Sequence, residues 1–208
     1  MKLKKKVKRA LIIILVLALI AVVGLYFWKN REVKPEVKEV KILHKIDKYG
    51  YELKDTKSKK YQELFKELVK ILDAEEVDEE KYVSKIAEMF VVDFYSLNDR
   101  TAKTDVGGVD FVHPDALSNF LLNAEDTFYK YIESNVYGNR DQKLPTVNTV
   151  TIESVEKTKF DYNGKSDENA YKVKATWTYK EEGFSDYQQE ASMIFVHEEN
   201  KLYLVELG

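Results

Sequence analysis

The sequence predicts an α+β protein in which an N-terminal transmembrane helix precedes three helices packed on a curved four-stranded antiparallel sheet. Three observations predict this fold class. An uncharged apolar run lies near the N-terminus, and three segments between residues 58 and 131 carry apolar residues at helical spacing. After residue 145, apolar and polar residues alternate with a period of two, which is typical of strands with one buried face.

The apolar run extends from Ala10 to Trp28 without a charged residue or a proline. A helix of this length reaches roughly 28 Å, against a hydrocarbon core of about 30 Å. Six cations precede it in residues 1–9, and the positive-inside tendency then predicts a cytoplasmic N-terminus and an extracytoplasmic C-terminal part. We therefore expect a single-pass protein of the cell membrane that contacts lipid through this run and the basic tail.

A cleaved signal peptide is the alternative interpretation of the same run. The run is longer than the usual h-region, and the following residues, GLYFWKNREV, contain no small-x-small cleavage site. Tyr26, Phe27 and Trp28 close the run, where aromatic rings settle at the level of the lipid headgroups. These features favour an uncleaved anchor.

Composition excludes several classes of function. Without the six cations of the tail, the 33 basic residues fall to 27 against 36 acidic ones, a formal charge of −9. Such an acidic exterior argues against nucleic acid as a partner, because phosphate binding needs a basic face. The chain has no cysteine, which excludes disulfides, thiolate metal sites and cysteine nucleophiles. No motif indicates a cofactor.

A stalk and an extended lead-in are expected over residues 29–57, ahead of the domain at residues 58–208. Residues 29–39 are charged, include Pro35 and show no apolar period. The YGYEL motif further on predicts a short strand.

Three helices are predicted from apolar residues that recur every three or four positions. Asp78 is the expected N-cap of the second helix, and Pro114 is expected in the first turn of the third. Between them, Gly107 and Gly108 permit a turn with positive φ, and the VDFV motif predicts a brief strand. The three apolar stripes are Tyr61, Leu64, Phe65, Leu68, Ile71 and Leu72; Val83, Ile86, Ala87, Phe90, Phe94 and Leu97; and Leu117, Phe120, Leu121, Ala124, Phe128 and Tyr131.

Four antiparallel strands are predicted after Pro145. The clearest is YKVKATWTYK, in which apolar residues alternate with lysines and threonines. Turn signals at Asn163-Gly164 and Glu182-Gly183 separate it from its neighbours, and KLYLVEL forms the last strand. We expect Trp177 and Phe90 to share one core between the sheet and the helices.

This order of elements over residues 58–207 resembles the nuclear transport factor 2-like superfamily, whose bent sheet wraps a long helix into a cone. The superfamily includes isomerases, dehydratases, binding modules and scaffolds, so the resemblance does not imply one activity. An N-terminal anchor followed by such a domain is also similar to the bitopic scaffold subunits of conjugation and type IV secretion machines.

Asp93 is the candidate for a catalytic residue. It lies in MFVVDFYSL, about 60° from the centre of the apolar stripe of the second helix. Facing an apolar interior, its carboxyl would have a raised pKa and could act as a general base, which is the logic of the isomerases in the superfamily. The structural alternative is a carboxylate that binds a neighbouring hydroxyl or backbone amide, or that reaches solvent.

The other candidates favour structural roles. His44, His113 and His197 match no HExxH or His-x-His spacing, and no G-x-S-x-G motif occurs, so no metal site or nucleophile elbow is expected. The DVGG motif at residues 105–108 fits either a backbone nest for an anion or a tight turn, and the turn is favoured. The acidic residues between 75 and 80 lack the oxygen spacing of an EF-hand and indicate a solvated connection.

We expect a non-enzymatic, membrane-anchored scaffold or interaction module of a cell-envelope complex, with protein partners in the envelope. A homo-oligomer is compatible with this function. The alternative is a ligand-binding or isomerase-like pocket with Asp93 as its polar or general-base group. A deep apolar cavity beside Asp93 would favour the alternative, whereas a filled interior with an exposed aromatic patch would favour the scaffold.

Overall fold

A computed structural model describes residues 14, 16–26 and 40–208. The chain divides into two compact units, Met1–Val37 and Lys38–Gly208. In the first unit the described residues are helical, and their apolar side chains are exposed. The basic tail at residues 1–9 and the predicted stalk at residues 29–39 lie outside the described residues, as do residues 10–13, 15, 27 and 28 of the apolar run.

The predicted transmembrane helix is wrong. Of the helices formed by the described residues, none is long and apolar enough to cross a membrane. The predicted fold class is therefore corrected at its N-terminal element. The predicted single-pass location, with an extracytoplasmic domain, is corrected with it because it depended on that helix.

The second unit has the predicted α+β class. Three helices and a four-stranded antiparallel sheet are present, and a two-stranded hairpin precedes them. The hairpin consists of β1 (Ile42–Ile46) and β2 (Tyr51–Lys54), and the helices are α1 (Lys59–Leu72), α2 (Glu79–Tyr95) and α3 (Pro114–Asp126). The sheet has the order β3-β4-β5-β6, formed by β3 (Val147–Tyr162), β4 (Lys165–Tyr179), β5 (Glu190–Glu198) and β6 (Lys201–Leu207).

Polar caps fix where the helices begin. The Ser58 hydroxyl accepts a hydrogen bond from the Tyr61 amide, and the Asp78 carboxylate accepts one from the Lys81 amide, as predicted for the second helix. The third helix begins at Pro114, also as predicted, and its cap is His113, whose Nδ1 accepts from the amide of Asp115 at 3.1 Å.

The core lies between the helices and one face of the sheet. Helix α2 is at its centre, because almost every residue from Tyr82 to Tyr95 is buried. Phe90 and Trp177 are buried in the same cluster, which confirms the predicted strand register. The β3–β4 ladder shows three register shifts, and bulges of this kind bend long strands.

Of two local predictions, the strand at VDFV is wrong, and the short strand at YGYEL is confirmed as β2. The VDFV motif does not form a strand: Val109–Phe111 is a 3₁₀ turn, and only Val112 bridges to Leu204. The lead-in is a full hairpin, in which Tyr51 and Leu53 are buried in the core of the second unit. Its partner strand β1 has mainly exposed residues, so its sequence carries no alternation that could have revealed it.

Candidate functional site

The carboxylate of Asp93 is the centre of a buried charged cluster. Its Oδ2 accepts a hydrogen bond from Lys57 Nζ at 2.6 Å and another from the Gly108 amide at 2.8 Å. Its Oδ1 accepts from Arg100 Nη2 at 2.9 Å. The Asp93 side chain is only 3% exposed, so this carboxylate meets two cations and an amide in place of water.

These partners keep Asp93 ionised. Burial alone would raise the pKa of its carboxyl, but the charges of Lys57 and Arg100, together with the hydrogen bonds from Lys57 and Gly108, outweigh burial, and the pKa lies below its usual value. A general base at neutral pH needs a pKa near 7 and access to its substrate. The predicted raised pKa is therefore wrong, and Asp93 has the environment of a structural carboxylate.

The two glycines of the DVGG motif make this contact possible. A side chain on Gly107 would collide with the backbone carbonyl of Asp93. Gly108 has a φ of +76°, and a Cβ there would lie 2.6 Å from the ring of Phe90. The motif is thus a tight turn, as favoured, and the anion that its amide binds is the carboxylate of Asp93 itself.

Tyr129 fastens the same turn from the other side. Its hydroxyl accepts a hydrogen bond from the Gly107 amide at 3.1 Å and donates one to the Phe94 carbonyl at 2.5 Å. The turn is thereby connected to α2 and to the segment after α3. Such a fully bonded arrangement is rigid, which suits a structural role.

A cavity of about 570 Å³ lies between α3 and β6. Asp93 is not among the described residues that line it; the next two residues of α2, Phe94 and Tyr95, line it instead. Successive positions on a helix point about 100° apart, so the helix separates the charged cluster from the cavity. The predicted pocket beside Asp93 is thus displaced to the neighbouring face of α2.

The cavity has an aromatic floor and a polar rim. Tyr95 is 1% exposed, and its hydroxyl has no hydrogen-bond partner among the described residues. One end is closed by a 2.8 Å hydrogen bond from the Asn163 amide group to the Asp115 carboxylate. The remaining lining residues are Val112, Ala116, Asn119, Phe120, Asn123, Ala124, Thr127, Phe128, Tyr162, Gln188, Leu204, Val205, Glu206, Leu207 and Gly208, together with Phe94.

The histidines are structurally engaged and far apart in the chain. His44 packs edge-on against Phe65, and Nε2 of His113 lies 2.6 Å from a Glu198 carboxylate oxygen. Nδ1 of His197 lies 2.9 Å from Asp167. Within the described residues, no group of three or more His, Cys, Asp or Glu side chains is placed to hold a metal ion.

Sequence reasoning identified Asp93 and missed its partners. Lys57 lies 36 positions before it and Arg100 lies seven after it, beyond the end of α2. One available signal was Arg100 itself, a rare arginine in a lysine-rich chain, since arginine suits buried ion pairs better than lysine. The cavity carried no comparable signal, because its lining comes from five separate parts of the chain.

The site therefore has two parts, a buried charged cluster on one side of α2 and an open cavity on the other. Their chemistry differs, because Asp93 already accepts three hydrogen bonds within the cluster, whereas aromatic rings and carboxamides line the cavity. Comparison of the chain with protein-family models, with curated proteins and with solved structures gives no match in any of the three.

Proposed function

We propose that the second unit is a non-enzymatic interaction module whose binding surface is the cavity between α3 and β6. One observation carries this proposal: the buried carboxylate that could have been a general base is neutralised by Lys57 and Arg100, while the neighbouring face of α2 borders a cavity of about 570 Å³ lined by aromatic rings and carboxamides. The interior thus supports binding better than proton transfer.

The chemistry of the cavity lining supports the absence of catalysis. Among the described residues that line it there is no Lys, Arg or His, and its acids, Asp115 and Glu206, are exposed. An isomerase or dehydratase with Asp93 as its base, the alternative from the sequence, would need that side chain to reach a substrate in the cavity.

The size and composition of the cavity support binding. Sites for ligands typically enclose about 300–1,000 Å³ and combine an apolar lining with a few polar groups. Here aromatic rings form the floor, and the carboxamides of Asn119, Asn123 and Gln188 lie among the lining residues. A carboxamide both donates and accepts hydrogen bonds, so the rim can recognise an uncharged polar partner.

The resemblance to the nuclear transport factor 2-like superfamily remains part of this proposal. Its support is the order of elements and a central helix, α2, in which every residue from Met89 to Tyr95 is buried. That superfamily includes binding modules, so the resemblance and the proposed function agree. The similarity to bitopic subunits of transfer machines has lost its basis, because it depended on the anchor.

A tryptophan scan on α3 tests the proposed function. Asn123→Trp would fill the mouth of the cavity, whereas Leu122→Trp would place the same ring on a neighbouring exposed position of the same helix that does not line it. We expect the full-length Asn123→Trp protein to lose the partners that the unchanged protein captures from its own cells, and Leu122→Trp to retain them. Equal capture by both variants would show that binding occurs elsewhere.

A further inference from the structure

The outer edge of β6 borders the cavity. In the described sheet β6 is the last strand, and β5 is its neighbour on one side. Residues 204–208 all line the cavity. Successive side chains of a strand point to opposite faces, so a consecutive run of lining residues means that the strand presents its edge and not a single face.

Backbone groups on this edge are directed toward the cavity. Ser192 and Gly208 exchange two backbone hydrogen bonds, of 2.8 and 2.9 Å, beside the β5–β6 ladder. In an antiparallel ladder, residues whose N–H and C=O both bond to the partner strand alternate with residues whose N–H and C=O point away from it. Gly208 bonds to β5, so the N–H and C=O of the preceding residue, Leu207, face away from β5. Since Leu207 lines the cavity, these groups are available to a molecule inside it.

The chain itself begins a strand beside this edge and then leaves it. Val112 forms a parallel bridge with Leu204, and the amide of His113 donates to the Leu204 carbonyl at 2.9 Å. Pro114 then starts α3, which carries the chain away from the sheet. Val112 and His113 therefore occupy the position beside β6 only at Leu204. Beyond Leu204 the edge of β6 is unpaired within the described chain and borders the cavity.

The charged side chains that line the cavity favour some peptides over others as the segment that pairs with β6. Its charged side chains, Asp115 and Glu206, are both acidic. They complement a segment with basic side chains and disfavour an acidic one. Asn119 and Asn123 on α3 lie among the lining residues and can bond to backbone groups of the same segment.

Building on the proposed function, we propose that the cavity binds an extended basic segment of a protein partner, which adds to the outer edge of β6 as a further strand. The backbone of the segment pairs with Leu207, its apolar side chains contact the aromatic floor, and its basic side chains lie near Asp115 and Glu206. Main-chain pairing supplies affinity in such strand addition, and the pockets for alternate side chains supply specificity.

The test uses the isotope-labelled full chain and a synthetic decapeptide of alternating valine and lysine. We expect the peptide to shift the backbone signals of Val205 and Leu207 and to slow hydrogen exchange of the Leu207 amide. Two further peptides are N-methylated, one on the odd-numbered and the other on the even-numbered amides, so that each lacks the hydrogen-bond donors of one edge. They distinguish backbone pairing with β6 from contact through side chains alone. One of the two should bind at least about tenfold more weakly, the effect of losing a backbone hydrogen bond. Undiminished binding of both versions would overturn the inference.

Variants at Leu207 give a matched control within the protein. Leu207→Pro removes the outward N–H while leaving the bonds of Gly208 to β5, and it should weaken decapeptide binding by about tenfold. Leu207→Ala keeps that N–H, so it should bind the decapeptide more tightly than Leu207→Pro does, and any loss it shows measures the contribution of the side chain alone. Exchange rates in the β5–β6 ladder verify that both variants are folded. Equal loss in the two folded variants would assign binding to the side chain and contradict strand addition.

A second probe, indole, distinguishes failure of the strand-addition inference from failure of the proposed function. It is a neutral aromatic probe that can reach the floor of the cavity without pairing with a strand. If indole shifts the signals of Tyr95 and Phe120 while the decapeptide leaves Leu207 unchanged, the strand-addition inference fails and the binding module stands. If neither probe shifts the lining residues and Asn123→Trp leaves partner capture intact, both fail.

Discussion

Lys57 and Asp93, 36 positions apart, are joined by a contact of 2.6 Å between Nζ and Oδ2. The contact connects the segment before α1 to the last turn of the helix α2. Both side chains are largely withdrawn from water, at 13% and 3% exposure. Removing one member of such a pair leaves the other charge buried without compensation, which is far more damaging than losing a surface ion pair.

We expect Asp93→Asn to destabilise the second unit strongly. The substitution keeps the shape of the side chain but leaves Lys57 and Arg100 without their shared counter-charge, which typically costs about 3–5 kcal/mol. Asp105→Asn is the matched control, because Asp105 lies at the edge of the cluster, 3.8 Å from Arg100, with a 40% exposed side chain. It should cost no more than about 1 kcal/mol. Urea unfolding measures both, and near-equal values would contradict the role of Asp93.

The same carboxylate predicts a loss of stability in acid. The pKa of Asp93 is lowered in the folded state, so its contribution is complete above the unfolded pKa of about 4 and disappears as the pH falls through the folded value. The difference in unfolding free energy between the unchanged protein and Asp93→Asn should therefore shrink as the pH is lowered below about 4. Urea midpoints between neutral and acidic pH measure this difference, and a constant gap would refute the assignment.

Lys201 should make the free energy of unfolding depend on pH in the alkaline range. Burial lowers the pKa of its amine to about 8, although Tyr51 and Tyr203 rings lie 4.2 and 4.6 Å from Nζ and favour the cation. Above that value the folded state has released a proton that the unfolded state still holds, so this group makes the protein more stable as the pH rises toward 10.5.

Lys201→Met, which keeps an apolar stem of similar length, should remove that rise. Its stability relative to the unchanged protein should therefore fall between pH 8 and 10.5. Lys172→Met, on strand β4 and separated from β6 by β5, serves as a control for the loss of a lysine charge. Parallel curves for all three proteins would show that the amine of Lys201 titrates normally.

Trp177 should be protected from solvent in the folded protein. Its ring is 3% exposed and lies 4.1 Å from the ring of Tyr95, between centroids. In a Trp28→Phe background, which leaves one tryptophan, iodide should quench its fluorescence only after unfolding. Trp177→Ala should destabilise the unit by about 3–5 kcal/mol. Free quenching before the urea transition would contradict the burial of this face of β4.

Local patterns predicted much of the fold. The helical stripes and the alternation in β4 each reflect one buried face, and burial of a face is recorded at regular positions in the sequence. The N-cap at Asp78 and the helix start at Pro114 were readable for the same reason, since they act within a few residues. The hairpin formed by β1 and β2 was less visible because β1 is mostly exposed and short.

The site depended on contacts that no local pattern records. The sequence placed Asp93 at the margin of an apolar stripe, but the partners that set its pKa come from two other segments. Composition could not show that a carboxylate, a lysine and an arginine meet in the interior. The anchor prediction failed for a different reason: hydropathy, length and flanking residues all favour a spanning helix, yet none of the helices in the described residues is long and apolar enough to cross a membrane.

The position of Lys57 also couples the unfolding of the hairpin and α1 to the unfolding of the rest of the unit. If the segment carrying Lys57 detached, the carboxylate of Asp93 would remain buried beside Arg100 but without the cation of Lys57, a state of high free energy. Partial opening at the N-terminal side of the unit is thereby suppressed, and the hairpin, α1 and α2 should unfold together. Cooperativity of this kind would appear in native-state hydrogen exchange as α1 amides that open only with the whole unit.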